Sequence, residues 1–406
     1  MATFSNMISV FFLVFFMSIV NINHAGHFIE TKLTQSINQF SSDLFVEISQ
    51  DSDHASKNLI MSPMSADIVL AMLSLGAEGK TLNEMNKALH LPNSAFTKAA
   101  YEPAIKKMST LQKVTMNLAN KVYVKEGKNH ALAPVFKTYA THFFNSEVEN
   151  IDFSQSAAAA AEINAWVENK TNETVKDIVT ASDMNSDTTM LVVNTIYVKG
   201  AWKKKFNPHY TSKVQFHISP TNMTVVDMMF QKTQTHYGES AELDAKILEL
   251  VLDGNEMSMM FALPNKADGL EVLEKKLTDN LENVKTMLDN LKPENVAMFL
   301  PKFQIETTVN LKDALSKLGM STMFTDNAEL GGLLAKHSPM KVDEVIQKAF
   351  IDMNEEGVTA GAATASPAVV VDMHTKKEFI ADHPFCFALV NSEGQAVFSG
   401  HFTGEN

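Results

Sequence analysis

The side chains that most often carry catalysis are present in this chain, but their spacing matches no catalytic motif. There are 13 histidines and one cysteine, yet no Gly-x-Ser-x-Gly nucleophile elbow, no His-Glu-x-x-His pair, no Cys/His metal spacing and no Gly-rich phosphate loop. Asp382 and His383 are adjacent and could form an acid–base dyad, but Pro384 and Phe385 begin a predicted strand there, which favours a structural role. We therefore predict that the protein is not an enzyme and has no catalytic residue, no metal and no cofactor.

The stretch that begins at Glu355 has a composition suited to joining a sheet. It follows the run Val345–Met353, which alternates apolar and polar side chains like a half-buried strand. Two acids and Gly357 interrupt this run, and only small residues follow as far as Thr364. Such a segment could be added to a sheet, because main-chain hydrogen bonds need no side chain and small side chains fit a narrow gap. In an extended strand, one face would carry Val358, Ala360, Ala362 and Thr364.

Length, composition and charge limit the fold and the partners. A chain of 406 residues could form two or three domains, but it has no Pro-, Gly- or Ser-rich linker and no internal repeat, so we predict one domain. The Ala-rich stretch could itself be a flexible linker, but the short chain beyond it reads as a strand hairpin. The net charge of −13 argues against nucleic acid and against an anionic membrane surface as partners.

Residues 1–25 have the pattern of a secretory signal peptide. The run Met7–Val20 is apolar but short for a membrane span, and cleavage after the small residue Ala25 would leave one domain of residues 26–406. A non-cleaved anchor is the alternative. We therefore predict a secreted, extracellular protein in which the lone Cys386 is a buried thiol without a disulfide. Three glycosylation sequons begin at Asn169, Asn172 and Asn222.

The middle of the chain supplies elements that could hold an added strand. Ser62 is predicted to cap a helix that follows a short strand, with a proline in its first turn. Residues 155–179 read as one helix with an Ala-rich start. The run Met190–Trp202 is mostly apolar, which is typical of a strand buried on both faces. Asn194 lies inside this run and must find hydrogen-bond partners if it is buried.

Taken in order, these segments resemble the serpin family over residues 36–403. The resemblance rests on Ser62-Pro63-Met64-Ser65 with the helix after it, Met190–Trp202, Leu300-Pro301-Lys302-Phe303, and the Glu355-Glu356-Gly357 step with its Ala-rich run. It implies an α+β fold with roughly three β-sheets, about nine helices and an exposed reactive-centre loop at about residues 357–377.

The same resemblance implies an inhibitor that uses the catalytic serine of its target. A serine protease would cleave the loop and become acylated, and the freed segment from Val358 would insert as a new strand of the large sheet. The hinge residues would be Glu355, Glu356, Gly357, Val358, Ala360, Ala362, Ala363 and Thr364. The family register places the reactive bond at Val371–Asp372, with Val370 and Met373 as alternatives. None of these positions offers a cation, so the predicted targets are elastase-like proteases and, second, chymotrypsin-like ones.

Two departures from the family pattern bear on this mechanism. The resemblance implies a sheet-opening network of Ser62, Ser65, Asn194 and Gln347, but the family has a histidine where Gln347 stands. A glutamine amide both donates and accepts hydrogen bonds, so the network could persist without its titrating member. Pro367 cannot donate to a strand ladder and would slow late insertion, which favours cleavage of the loop as an ordinary substrate. A non-inhibitory serpin that acts as a carrier, chaperone or storage protein is the alternative.

The predicted partner is a serine protease in a covalent acyl complex, and the chain itself is predicted to be a monomer. In some serpins the helix equivalent to residues 94–116 binds heparin. Here that segment contains Lys98, Lys106, Lys107 and Lys113, which are spread out with Glu102 among them. This spacing is typical of a solvated face, so no heparin-type polyanion is expected.

Overall fold

The computed structural model describes residues 27–279, 281–359 and 377–405. The predicted signal peptide and most of the predicted reactive loop lie outside these residues. The described chain forms nine α-helices and fifteen β-strands, which build two hydrogen-bonded sheets with helices packed around them. None of the described helices has the length and apolarity that a membrane span requires.

The elements follow one another in mixed order along the chain. The helices are α1 (residues 27–49), α2 (Pro63–Ser74), α3 (Gly79–Ala88), α4 (Ser94–Met108), α5 (Pro134–Phe144), α6 (Ser156–Lys170), α7 (Leu270–Asp279), α8 (Leu281–Asp289) and α9 (Lys312–Lys317). The strands are β1 (Leu59–Met61), β2 (Thr115–Lys125), β3 (Glu147–Ile151), β4 (Met190–Ala201), β5 (Ser212–Ser219), β6 (Asn222–Ser240), β7 (Ala245–Val251), β8 (Met257–Pro264), β9 (Lys292–Pro301), β10 (Phe303–Asn310), β11 (Glu344–Met353), β12 (Gly357–Val358), β13 (Lys377–Ile380), β14 (Phe385–Asn391) and β15 (Ala396–Phe402).

Helix α2 begins where the sequence predicts. Ser62 is its N-cap, and the Ser62 hydroxyl oxygen accepts a hydrogen bond from the Ser65 N–H at 3.3 Å. Pro63 occupies the first turn, where a missing N–H costs nothing. Every residue of α2 is buried, because the helix packs against strands of both sheets. This burial fixes Ser62 and Ser65 beneath the centre of the six-stranded sheet.

The six-stranded sheet contains β4, the strand that the sequence predicts to be buried on both faces. Its strand order is β10-β11-β12-β4-β2-β3, and β11 also pairs directly with β4. Side chains of β4 alternate between two apolar layers: Met190 and Val192 belong to the main core, while Leu191 and Val193 pack with α6 on the other face. Burial on both faces explains why this strand reads as a continuous apolar run.

The nine-stranded sheet combines the other two predicted sheets. Its order is β1-β15-β14-β8-β7-β6-β9-β13, with β5 paired to β6. The long strand β6 pairs with β5 near its start and with β7 near its end, so it passes through both parts and makes them continuous. The predicted α+β architecture is confirmed, and the third predicted sheet is an extension of the second through one shared strand.

The helix predicted over residues 155–179 is wrong in its second half, because α6 ends at Lys170. Thr171 is fully buried, and its hydroxyl donates to the Val167 carbonyl at 2.8 Å. Such a side chain competes with the helical backbone for hydrogen bonds. Asn172 then adopts a left-handed φ of 51°, which turns the chain out of the helix. The segment that follows still packs on the sheet beside α6. Its apolar residues therefore continue the spacing seen in α6, although the helix itself has ended.

Cys386 is buried in β14, as the sequence predicts. Burial, and to a lesser degree the nearby carboxylate of Glu274, raises the pKa of the thiol well above its usual value. The reactive thiolate is therefore suppressed at neutral pH, and the side chain serves as a small apolar group.

Candidate functional site

The start of the predicted hinge lies inside the six-stranded sheet. β12 is located between β11 and β4 and pairs antiparallel with both. Farther along, the same two strands are parallel neighbours, with residues 344–349 of β11 opposite residues 191–196 of β4. The gap that β12 occupies therefore ends where direct pairing of β4 and β11 begins.

The inward face of the hinge is defined by Val358. Its side chain is fully buried and belongs to the main core, as does its cross-strand neighbour Met353. Continued in extended form, the two-residue period of a strand would place Ala360, Ala362 and Thr364 on the same face. These residues lie outside the described part of the chain, and so do the predicted hinge residue Ala363, the reactive-bond candidates Val370, Val371, Asp372 and Met373, and Pro367.

Gly357 is required by its close approach to β4. A Cβ atom at this position would lie 2.0 Å from the carbonyl oxygen of Gly200 and 2.7 Å from the Cα of Ala201. Both contacts are with backbone, which cannot move aside as a flexible side chain could. Only glycine therefore lets β12 pair with β4 at this point.

The backbone departs from the extended conformation at Thr359, immediately after Val358. Thr359 has a left-handed φ of 49°, and its N–H donates to the Asp352 carbonyl. A β-branched residue in this region is strained by roughly 1–2 kcal/mol. An extended conformation at Thr359 would remove this strain.

The two acids before Gly357 are each paired with a lysine. Glu355 contacts Lys302 Nζ at 3.0 Å and accepts a hydrogen bond from the Thr211 hydroxyl at 2.8 Å, while Glu356 contacts Lys205 Nζ at 2.6 Å. Burial by itself raises the pKa of Glu355, but hydrogen bonds from backbone, Thr211 and Lys302 outweigh it and leave that pKa below its ordinary value. The carboxylate is therefore held in its charged form.

Backbone hydrogen bonds fix the same segment to the end of β4. The Trp202 N–H donates to the Glu356 carbonyl at 2.9 Å, and the Phe206 N–H donates to the Glu355 carbonyl at 2.9 Å. The Trp202 indole N–H donates to the Asn354 carbonyl at 2.8 Å. The base of the loop is thus anchored, and any further insertion must continue from this fixed point.

The structure brings together all four residues of the predicted sheet-opening network. Gln347 accepts from the Ser62 N–H at 2.8 Å, donates to the Ser62 carbonyl at 2.8 Å, and donates to Asn194 Oδ1. Asn194 in turn donates to the Ser65 hydroxyl at 2.6 Å. All four side chains are almost completely buried. None of them is ionisable, so these hydrogen bonds do not depend on a titrating member.

Asn120 is a fifth member that the sequence reasoning missed. It lies on β2 directly opposite Asn194, is buried, and accepts hydrogen bonds from the Asn194 amide and, at 3.2 Å, from the Ser65 hydroxyl. The signal that selects Asn194, an amide inside a strand-like run, is also present at Asn120. It becomes informative only once β2 is known to be the neighbour of β4.

The first described residue after the loop is part of the nine-stranded sheet. Lys377 begins β13, which runs parallel to β9. Its Nζ lies 2.9 Å from Glu239 Oε1 and 5.6 Å from the centre of the Tyr237 ring. This lysine is therefore held against β6.

Asp382 and His383 are hydrogen bonded, but their arrangement is structural. His383 Nδ1 lies 2.8 Å from Asp382 Oδ1, and His383 Nε2 lies 2.7 Å from the Pro264 carbonyl oxygen. Both ring nitrogens are thus engaged in holding the start of β14 against the end of β8. In the residues that the structure describes, no group of three or more His, Cys, Asp or Glu side chains could hold a metal ion.

The remaining predicted positions lie at the surface. The three sequon asparagines, Asn169, Asn172 and Asn222, are exposed. Three of the four lysines of this segment have separate local partners: Lys98 lies 3.9 Å from the centre of the Tyr139 ring, Lys107 pairs with Glu393, and Lys113 lies 4.0 Å from Asp253. They do not converge on one site.

Comparison with known proteins adds an independent result. The family model for serpins, serine protease inhibitors, matches residues 35–404. Antichymotrypsin-2 of Bombyx mori is 36% identical over 365 residues, which cover 89% of this chain and 96% of that protein. Alaserpin of Manduca sexta is 36% identical over 369 residues, with coverage of 91% and 93%. The crystal structure of Serpin48, described as a highly specific serpin in the insect Tenebrio molitor, matches with a TM-score of 0.84 and 33% identity, covering 92% of this chain and 98% of that one.

Proposed function

The chain belongs to the serpin family, and from this premise we propose that it is a secreted suicide inhibitor of serine proteases. The proposal includes the finer points of the mechanism: cleavage of the loop, acylation of the protease and insertion of the freed segment. It also includes a signal peptide over residues 1–25, a mature chain that begins near Gly26, and glycan on at least one of the exposed sequon asparagines.

The observation that carries the proposal is the position of β12. A two-residue strand already separates one end of β4 from β11, and its buried side chain points into the main core. The small residues that follow in the sequence can continue this strand without displacing core side chains. A charged or bulky residue among them would have prevented this, and the run from Val358 to Ala363 contains none.

The chemistry belongs to the protease. Its serine Oγ attacks the carbonyl carbon of Val371, the bond to the Asp372 nitrogen breaks, and the new amine leaves with the proton supplied by the protease histidine. The product is an ester between the serine and Val371, with the loop now severed. Water would normally hydrolyse this ester. Inhibition requires that the severed segment insert first and carry the acylated protease away with it, distorting its catalytic residues.

Insertion is favourable for three structural reasons. It replaces the parallel pairing of β4 with β11 by two antiparallel pairings, which are slightly more stable per residue. It buries the face that continues from Val358 in the main core. It also releases the left-handed strain at Thr359, since this residue would become extended. The uncleaved loop cannot gain these contacts, because both of its ends are anchored, at Trp202 and at β13.

The predicted reactive bond sets the class of target. The run Ala368–Val371 suits a small apolar specificity pocket, so we propose an elastase-like protease first and a chymotrypsin-like one, through Met373, second. The arrangement of Lys377 in β13 supports this choice, because a trypsin-like enzyme needs a cation within the loop.

One feature favours the alternative of a non-inhibitory serpin. Pro367 cannot donate to a ladder, so a strand that extends this far would lose a hydrogen bond there. It follows the inward-facing residues, so most of the new strand could form before it is reached. Its effect would be on the last part of insertion, where delay lets water release the protease.

A panel of serine proteases separates the two functions. The protein is incubated with elastase-like, chymotrypsin-like and trypsin-like enzymes and analysed on a denaturing gel. We expect a complex that survives denaturation with at least one enzyme of the first two classes, and a released fragment that begins at Asp372. A clipped chain with no complex from every enzyme would establish the non-inhibitory alternative. A fragment that begins after Lys376 or Lys377 would overturn the register and the target class.

A further inference from the structure

A cluster of hydrogen bonds closes the end of the six-stranded sheet that lies opposite β12. Asp343, which directly precedes β11, donates its N–H to the carbonyl of Met190, the first residue of β4, at 2.9 Å. Its carboxylate oxygen Oδ2 accepts hydrogen bonds from the Thr189 N–H at 2.6 Å and from the Met190 N–H at 3.1 Å. The Thr189 hydroxyl lies 3.0 Å from the same oxygen. We name Asp343, Thr189 and Met190 the far-end clasp.

Two lysines before and beside β11 support the far-end clasp. The Lys341 carbonyl oxygen lies 2.7 Å from the Thr189 hydroxyl, so a second residue on the β11 side contacts the same point of the chain. Lys312 of α9 donates to the Asp343 carbonyl at 2.7 Å, which fixes the Asp343 backbone to that helix. Hydrogen bonds to a carboxylate are stronger than those between neutral groups. The far-end clasp is therefore a strong contact between β4 and the start of β11.

The register of β12 shows what an inserting segment would meet at this end. Val358 pairs with Gly200 of β4 and with Met353 of β11. The same offset between β4 and β11 is kept where these strands pair directly. Each further residue of an antiparallel segment would move one residue back along both strands. Ala368 would therefore arrive at the far-end clasp, opposite Met190 of β4.

The far-end clasp uses the main-chain groups that Ala368 would need. The Trp202 N–H donates to the Glu356 carbonyl, so even-numbered residues of the segment exchange hydrogen bonds with β4. Ala368 would bond to the N–H and the carbonyl of Met190, and both of these groups are already bonded to Asp343. The exchange makes as many bonds at Met190 as it breaks, and it takes both partners away from Asp343.

Pro367 would reach the same place one residue earlier. The Thr359 N–H donates to the Asp352 carbonyl of β11, so odd-numbered residues of the segment face that strand. In this register Pro367 would stand opposite Glu344, and it has no N–H to donate to the Glu344 carbonyl. The segment therefore gains least at the point where the far-end clasp has to open.

A polar cavity beside the far-end clasp offers the last residues of the segment little apolar contact. Its volume is about 340 Å³, and its charged lining consists of Asp183, Asp187, Lys341, Asp343 and Glu344. The valines that end at the predicted reactive bond would lie along this lining. Because apolar burial is the main driving force of packing, these residues add little to the free energy of insertion.

We propose that Asp343 is a positioning residue of the inhibitory reaction, because the far-end clasp must open before the last residues of the cleaved segment can insert. While it stays closed, water can break the ester between the protease serine and Val371, which frees the serine and leaves a carboxylate on Val371. The far-end clasp therefore sets the share of cleaved protein that ends as complex. This consequence rests on the proposed function, whereas opening of the clasp by an entering segment requires no protease.

The first test measures the ratio of clipped chain to complex after reaction with an elastase-like protease. Asp343→Ala removes the carboxylate, and Asp343→Asn keeps an oxygen that can accept from β4 but lacks the charge. Asp326→Ala is the control, because it removes a carboxylate that pairs with Lys341 at 2.8 Å and is 91% exposed.

We expect this ratio to fall about tenfold in Asp343→Ala, since hydrogen bonds to a charged group contribute at least that factor to an equilibrium. Asp343→Asn should lie between this variant and the parent, and Asp326→Ala should match the parent. Thr189→Val removes only the hydroxyl of the far-end clasp and carries the same test if Asp343→Ala does not fold. An equal ratio in the parent and Asp343→Ala, or a parent that forms complex without any clipped chain, would overturn the inference.

The second test uses synthetic peptides in place of a protease. Peptides with the sequences of residues 358–371 and 358–366 are added in excess to the uncleaved protein, and their uptake into the sheet is followed as a rise in melting temperature with time. Only the longer peptide reaches the far-end clasp. Asp343→Ala should take up the longer peptide about tenfold faster than the parent does, and the shorter one at the parent rate.

The two tests separate failure of this inference from failure of the proposed function. Equal acceleration of both peptides would show a general loosening of the sheet and would overturn the inference, as would a parent and variant that take up neither peptide. Complex formation without a difference between the peptides would overturn it and leave the proposed function intact. Clipped chain without complex from every protease, with the peptide difference still present, would overturn the proposed function alone.

Discussion

Gln347 and Asn194 lie opposite each other on two parallel strands, and the Gln347 amide donates a hydrogen bond to the Asn194 side chain. They belong to β11 and β4, the strands that an inserted segment would separate. Insertion therefore has to break this bond together with the main-chain pairing around it. The two amides hold the sheet closed at the point where the proposed function requires it to open.

Replacing Gln347 by leucine should destabilise the uncleaved protein more than the loop-cleaved protein. In the uncleaved sheet the change leaves buried polar groups of Ser62 and Asn194 without their partner, at about 1–3 kcal/mol for each group. In the cleaved form a new strand would already separate β11 from β4, so the Asn194 bond is lost beforehand. Denaturant unfolding of both forms measures the difference. Gln215→Leu, at an exposed position of β5, is the control and should change neither form. Equal losses in the two forms would contradict the prediction.

Gly357→Ala should weaken the seating of β12. The added Cβ would lie 2.0 Å from the Gly200 carbonyl oxygen, so β12 or β4 must shift, with a loss of about 1–3 kcal/mol in the free energy of unfolding. Gly127→Ala is the matched control. Gly127 has a φ of 156° against 157° for Gly357, but its added Cβ would meet only the His130 side chain at 3.5 Å. The two variants share any backbone effect, so the difference between their unfolding midpoints isolates the contact with β4. Similar midpoints would show that the close approach of Gly357 to β4 does not affect the free energy of unfolding.

A charge on the inward face of the inserting strand should turn the inhibitor into a substrate. Ala362→Arg and Ala360→Glu each place a charge on the face that Val358 shows to be the core side, and an unpaired buried charge costs several kcal/mol. Cleavage should continue while the denaturation-resistant complex disappears. Thr359→Arg is the control and should retain more of the complex, because in the inserted strand it would lie on the opposite face beside the exposed Lys199. Trapping by Ala362→Arg at the parent level would mean that the inward face or insertion itself is wrongly assigned.

A single cut in the loop should raise the melting temperature sharply. The cut frees the hinge from its anchor at β13, so the segment after Val358 can pair with β4 and β11 in place of their parallel contact. Differential scanning calorimetry before and after limited cleavage measures the shift. Cleavage of the Ala362→Arg variant should give a much smaller shift, because its segment cannot be buried. No rise in the parent protein would identify the non-inhibitory class.

The buried carboxyl of Asp67 should make stability fall as the pH rises from about 4 to about 7. Burial raises the pKa of Asp67 from 3.8 to about 7, although the hydrogen bond from the Tyr101 hydroxyl opposes this. Between these pH values the folded state still binds a proton that the unfolded state has released. The free energy of unfolding therefore decreases as the pH rises through this range. The loss is on the order of 4 kcal/mol.

Denaturant unfolding at several pH values measures this effect. Asp67→Asn keeps the shape of the side chain without a titrating proton, so its stability should change much less between pH 4 and pH 7 and should exceed that of the parent above pH 7. Asp187→Asn, at an exposed position, should follow the pH dependence of the parent. A difference in stability between the parent and Asp67→Asn that stays constant over this range would contradict the assignment.

The local sequence predicted most of the elements on which the site depends. Ser62 and Pro63 define the start of α2 through capping and a fixed φ, and these act within one helical turn. The continuous apolar run of β4 predicts burial on both faces, and the structure confirms it. The helix over residues 155–179 failed because apolar spacing continues past Lys170, whereas the helix is ended by the hydroxyl of Thr171, whose burial depends on the sheet beneath it.

What the sequence alone determined was the order of elements, the small-residue hinge and the absence of a cation at the predicted reactive bond, because these follow from residue type and spacing. Only the tertiary structure decided which amides meet, since Asn120, Asn194 and Gln347 come from three strands whose register no local pattern specifies. It also decided that β12 enters between β4 and β11. Such relationships are contacts between residues that are far apart in the sequence. No local pattern of residue types predicts them, because they form only when the whole chain has folded.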